Sequence, residues 1–115
     1  MRLVEKNPPR KFRVGLKEQI EICDCGEIHL DPDEQVSFVT SSGKRHDFAA
    51  KSWGFYVTPS VNGRLKKEGF KTALVRNSKG QYYVMVVEIE RIGEFESYVQ
   101  QEKNVVLEWL DERKK

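Results

Sequence analysis

FKTALVRNSKGQYYVMVVEI, residues 70–89, is the stretch on which the fold class turns. Two β-rich runs, Phe70–Arg76 and Gln81–Ile89, flank Asn77-Ser78-Lys79-Gly80. A short Asn/Gly connection between such runs reads as a β-hairpin. Val84, Val86, Val87 and Ile89 are β-branched, and Tyr82 and Tyr83 add aromatic area, both suited to a pleated surface. The Val84–Val87 run is apolar on both faces, which predicts a strand central in its sheet.

Downstream, Phe95, Tyr98 and Val99 fall at helical spacing and predict an amphipathic helix over Glu94–Glu102. VVLEWL, residues 105–110, predicts a last strand before a charged tail. Upstream, Thr58-Pro59 reads as a helix start, because Thr can cap and Pro at the first helical position wastes no backbone donor. Val61 and Leu65 share one face of that helix, and Gly69 is placed to end it. Gly63 in its interior costs about 1 kcal/mol relative to Ala, so it marks a close approach or a short helix.

Before that, Phe12, Val14, Leu16, Ile20 and Ile22 alternate as strand residues do, with a turn near Lys17-Glu18. Asp24 to Gly26 breaks the pattern, and Glu27–Leu30 is a short strand ended by Asp31-Pro32-Asp33. Val36–Thr40 predicts a third strand and Ser41–Lys44 a turn, whereas Lys44–Trp53 has no clear period. Residues 1–11, with Asn7-Pro8-Pro9, read as an irregular N-terminal arm, and 12–115 as one domain. The order predicts an α+β fold: a mostly antiparallel sheet with two helices on one face.

Composition bounds the function. The chain has 115 residues, 38% hydrophobic and 33% charged, as one globular domain would. No run approaches the roughly 18 to 20 apolar residues of a membrane span, and the N-terminus lacks an apolar signal region, so a cytoplasmic location is expected. Twenty basic against 18 acidic residues give a net charge of +2. That balance argues against nucleic acid as a partner, which calls for a concentrated basic surplus.

WGFYVTPSVNGRL, residues 53–65, carries the candidate binding set: Trp53, Tyr56, Thr58, Ser60, Asn62 and Arg64. A helix opening at Pro59 would aim the free amides of Ser60, Val61 and Asn62 at an anion. Trp53, Phe55 and Tyr56 offer flat faces that stack on sugars or bases. The expected ligand is a small anion such as a sugar acid or sugar phosphate. The plainer alternative is that Trp53 and Phe55 are core and Thr58 only a cap.

Cys23, Cys25, His29 and His46 form a Cys2His2 set of the kind zinc takes. Their spacing differs from the common finger and ribbon patterns, so no cofactor is expected and a zinc-stabilised interaction domain is the alternative. Cys23 and Cys25 are too close in sequence for an unstrained disulfide. Asp47 could orient His46 as a base, but no serine elbow, phosphate loop or paired carboxylates accompany them. Catalysis is therefore not expected and its residues are unknown; the alternative is a small enzyme on a sugar or sugar nucleotide, using Tyr56, Thr58, Asn62 and Arg64.

WGFYVTPSVNGRLKKEGFKTALVRNSKGQYYVMVVE and the ending VVLEWLDE resemble small bacterial proteins that share WGFYATPSxNGRL, a following FKTALV strand, a YYVM strand and a terminal W-L-D-E. The resemblance spans roughly Ile20 to Glu112. It touches Asp31, Glu34, Trp53, Gly54, Phe55, Tyr56, Thr58, Pro59, Ser60, Asn62, Gly63, Arg64, Leu65, Trp109 and Asp111, and departs at Val57, where Ala is expected. It implies an accessory role in surface-polysaccharide or nonulosonic (sialic-acid-like) sugar biosynthesis, without a reaction. The expected function is thus a non-catalytic binding protein for an anionic sugar or a partner enzyme. A homodimer through an open VVLEWL edge is a further expectation.

Overall fold

The structure, a computed structural model, describes residues 1–114. It is α+β, with antiparallel strand pairs and two α-helices. The strands form three small sheets rather than the single sheet expected. The chain divides into two compact units: Met1–Val36 with Phe48–Tyr56, and Ser37–Asp47 with the residues from Val57 onward.

The first unit opens with a hairpin of β1 (Arg2–Val14) and β2 (Ile20–His29). The expected irregular arm is therefore strand. Its prolines are tolerated because pairing lapses there: the register jumps between Glu5 opposite Gly26 and Arg10 opposite Asp24. Proline cannot donate to a ladder, and an irregularity of this kind leaves it nothing to donate to. The turn falls at residues 15–19, around Lys17-Glu18, where Glu18 N–H donates to the Gly15 carbonyl at 3.1 Å. Asp24 to Gly26, expected as a break, stays inside β2. Ile20, Ile22 and Ile28 lie on one face of β2, with Val14, Phe12 and Leu3 opposite them on β1. The apolar residues thus keep one face through the irregularity.

β3 (Gln35–Val39), β4 (Arg45–Lys51) and β5 (Gly54–Val57) form a sheet in that order. The ambiguous Lys44–Trp53 stretch is therefore mostly strand. Within the first unit, Asp33 N–H donates to the Ala50 carbonyl and Ala50 N–H to Glu34, and Ala49 and Ala50 are buried.

In the second unit, β6 (Phe70–Arg76), β7 (Tyr82–Glu88) and β8 (Val105–Trp109) form a sheet of order β7-β6-β8. The hairpin is as predicted, but β6 is its centre and β7 an edge. Phe70, Thr72, Ala73 and Val75 of β6 are buried, whereas Tyr82, Val84 and Val86 of β7 are exposed. An apolar run reports which residues avoid water, not which strands they pair with. The second helix, α2 (Ile92–Gln101), follows a 3-10 turn at Ile89–Arg91 and contacts β7 and β8; Phe95 meets Trp109 edge-on at 5.7 Å.

The first helix, α1, spans only Arg64–Lys67 and contacts β6. It buries Leu65 completely, which contributes about 2 kcal/mol. Gly69 ends it at φ 97°, a left-handed conformation that favours glycine.

Candidate functional site

The residues expected to act together, Trp53 to Arg64, fall in both units. In the first unit, Trp53 occupies the turn before β5, and Phe55 and Tyr56 lie on that strand. None is core. Trp53 is 70% exposed, Phe55 67% and Tyr56 45%. The Trp53 and Tyr56 rings stack, with centroids 6.1 Å apart and planes 26° from parallel. Lys51 pairs with Asp33, a hydrogen bond that raises the lysine above its ordinary range.

In the second unit, the helix expected at Pro59 begins five residues later, at Arg64. The chain bends at Pro59 and turns over Val61–Gly63. The Ser60 carbonyl explains the delay, since it accepts both Gly63 N–H at 3.2 Å and Leu65 N–H at 3.1 Å. Gly63 sits at φ −124° and ψ −106°, outside helical geometry. The helix N-terminus expected at Pro59 is therefore not formed. Thr58 does not cap either: its N–H donates to the Asp47 carbonyl at 3.0 Å, and its hydroxyl reaches the same oxygen at 3.4 Å.

The Arg64 guanidinium is engaged rather than open. Nη1 donates to Asp47 Oδ2 and to Glu68 Oε1, each at 3.1 Å. Asp47 is buried on β4, and its Oδ1 accepts the Ser37 hydroxyl at 2.5 Å. The Ser37 hydroxyl, and then Arg64, hold its carboxyl below the ordinary aspartate range against the cost of burial. Arg64 is pushed up in turn, chiefly by the Asp47 hydrogen bond.

His46, beside Asp47, is buried, with its ring edge-on to Phe70 at 6.0 Å. Burial lowers its pKa, and the negative charges of Asp47 and Glu68 oppose that only in part. The Asp47 carboxylate is engaged by the Ser37 hydroxyl and Arg64. The sequence did not point to Asp47 and Glu68 as partners of Arg64, nor to Ser37 as a partner of Asp47. The one available signal was the i,i+4 spacing of Arg64 and Glu68.

A second polar cluster lies where β8 ends. Asp111 is buried in the 3-10 turn Leu110–Glu112 and accepts Thr72 N–H at 3.0 Å and Lys71 Nζ at 3.1 Å. Lys71 also pairs with Glu112, and its ammonium lies 4.9 Å from the Trp109 ring centroid. The positions Trp109 and Asp111 are thus joined through Lys71.

Cys23 and Cys25 are exposed free thiols on β2, and His29 pairs with Glu27 at 2.9 Å. Among the described residues, no three His, Cys, Asp or Glu side chains are grouped to hold a metal ion. Nor, among them, is any helix long and apolar enough to cross a membrane.

No protein-family model, curated protein or solved structure matches the chain.

Proposed function

We propose that this is a non-catalytic binding protein that takes a sugar through the exposed, stacked rings of Trp53 and Tyr56. The observation that carries the reading is the exposure of Trp53 and Tyr56, whose rings are already stacked. Leaving a large aromatic in water forgoes about 1.5–3 kcal/mol of burial. A small exposed aromatic patch of this kind suits a partner with a flat apolar face, and a sugar ring has one. The Trp53–Tyr56 stack also reduces the ordering that binding would otherwise have to supply. Resemblance of WGFYVTPSVNGRL to proteins of nonulosonic-sugar clusters points to the same ligand class. The Arg64 pairing with Asp47 and Glu68 moves recognition away from a free guanidinium and onto the rings.

A thermal-shift series with sialic-type sugars and their CMP conjugates tests this. A sugar that raises the melting temperature of the native protein is expected to lose that effect in Trp53→Ala and in Tyr56→Ala. Both variants should melt, without ligand, close to the native protein. Stabilisation that survives both substitutions, or no stabilisation by any sugar of the series, would end the reading.

A further inference from the structure

Cys23 and Cys25 are both exposed free thiols on β2. Two residues apart on one strand, they project from the same face of the ribbon. That face is opposite to the one carrying Ile20, Ile22 and Ile28. Cys23 lies across from Lys11 on β1. Among the described residues, Cys25 has no partner on β1; it falls where the register breaks, between Asp24 opposite Arg10 and Gly26 opposite Glu5. Asp24, between the two thiols in sequence, is engaged by Lys6 at 2.5 Å and Arg10 at 3.5 Å.

The spacing sets what the pair can do. Successive side chains on one face of a strand lie about 6.6 Å apart. A disulfide needs its Cβ atoms within roughly 4.5 Å, so the strand holds the two sulfurs apart as thiols. A metal ion bridging them asks for less. Two metal–sulfur bonds of about 2.3 Å span up to about 4.6 Å between sulfurs. Each thiol then has to lean only about 1 Å towards the other. Cys25 already leans that way, its thiol donating to the Cys23 carbonyl with Sγ at 3.5 Å.

We infer that Cys23 and Cys25 form a two-sulfur clamp for a soft monovalent metal ion, Cu(I). Soft thiolate ligands favour Cu(I), zinc and iron–sulfur clusters. Zinc and the clusters take four ligands. Among the described residues, no third His, Cys, Asp or Glu joins the pair. Cu(I) is stable between two sulfurs in line. His29 lies on the same face of β2, but about 13 Å along the strand from Cys25, and pairs with Glu27. Binding releases both thiol protons and leaves one negative charge on the S–Cu–S unit; no electron is transferred. Exposure of both thiols lets the ion enter and leave without opening the fold.

Competition for Cu(I) under anaerobic conditions tests the inference. The full chain should withdraw one equivalent of copper from the Cu(I)–bicinchoninate complex and remain a 13.4 kDa monomer. Both thiols should react with an alkylating reagent before loading and resist it afterwards. Cys23→Ser and Cys25→Ser should each weaken copper binding by about 100-fold or more, since a chelate becomes a single contact. Both should keep native circular dichroism, and His29→Ala should bind copper as the native protein does. The alkylation measurement on the native chain serves if a variant does not fold. Failure to take copper from the complex overturns the inference. So does a serine variant that binds as tightly as the native protein, a requirement for His29, or copper held only between two copies.

Discussion

The carboxylate of Asp111 accepts the amide of Thr72 at 3.0 Å, one step beyond the pair that Ala73 makes with Trp109. A side chain thus takes over where the β8 ladder stops. It satisfies a buried donor of the central strand, and Lys71 balances its charge.

Asp111→Ala should therefore destabilise the protein by about 1–3 kcal/mol, the cost of an orphaned buried donor. Asp111→Asn keeps an acceptor for Thr72 but loses the ion pair, and should cost less. Chemical denaturation of the two variants checks the order. Equal losses would mean that the amide contact contributes nothing distinct. Burial, the largest single influence on Asp111, raises its pKa; the Thr72 amide and Lys71 together outweigh it and leave the group below 3.8. Its contribution is accordingly present above that value and lost as pH falls through the lower, folded one.

Asp47 is held down first by the Ser37 hydroxyl and then by Arg64. A carboxyl titration followed by NMR should find it below 3.8 in the native protein. Ser37→Ala and Arg64→Ala should each move it upward. No movement in Ser37→Ala would show that the hydroxyl does not hold the carboxyl down.

Burial makes His46 a poor proton acceptor in the folded state. The unfolded chain binds a proton near 6.5, the folded chain only at lower pH, so stability rises with pH across that window. The contribution is complete above 6.5 and declines as pH falls towards the folded value. Denaturation midpoints between pH 5 and 7 should show this slope in the native protein and a shallower one in His46→Gln. An unchanged slope would assign the effect to another group.

Gly26 lies at φ 154°, opposite Glu5 where the β1–β2 register breaks, and a Cβ there would run into the Val4 carbonyl oxygen. The obstacle is backbone and cannot swing aside. Gly26→Ala should cost more than about 1 kcal/mol. Amide exchange should show faster opening at Leu3 to Glu5 than at Phe12 to Val14, beyond the irregularity. Uniform protection along β1 would argue against a local effect.

What could be read from the chain was local chemistry. The β6–β7 turn was readable because Asn77 organises it within five residues, its Oδ1 accepting the amides of Lys79 and Gln81. Phe95 and Tyr98 likewise announced α2 by spacing alone. What could not be read depends on distant partners. Arg64 looked available for an anion because nothing near it announces Asp47, 17 residues earlier. The start of α1 depends on where the Ser60 carbonyl points, which Thr58-Pro59 does not dictate. Trp53 and Phe55 resembled core because type carries no record of exposure. The same blindness made β7 look central.

The self-contained turn at Asn77 also bears on the order of assembly. β6 can find β7 as soon as both have left the ribosome, whereas β8 must return from about thirty residues further along. During synthesis the central strand therefore has one neighbour and one open side until Trp109 emerges, and Asp111 closes it last. Pulse-labelling during refolding should find the Val84–Val87 amides that face β6 protected before the Val105–Trp109 amides that face it.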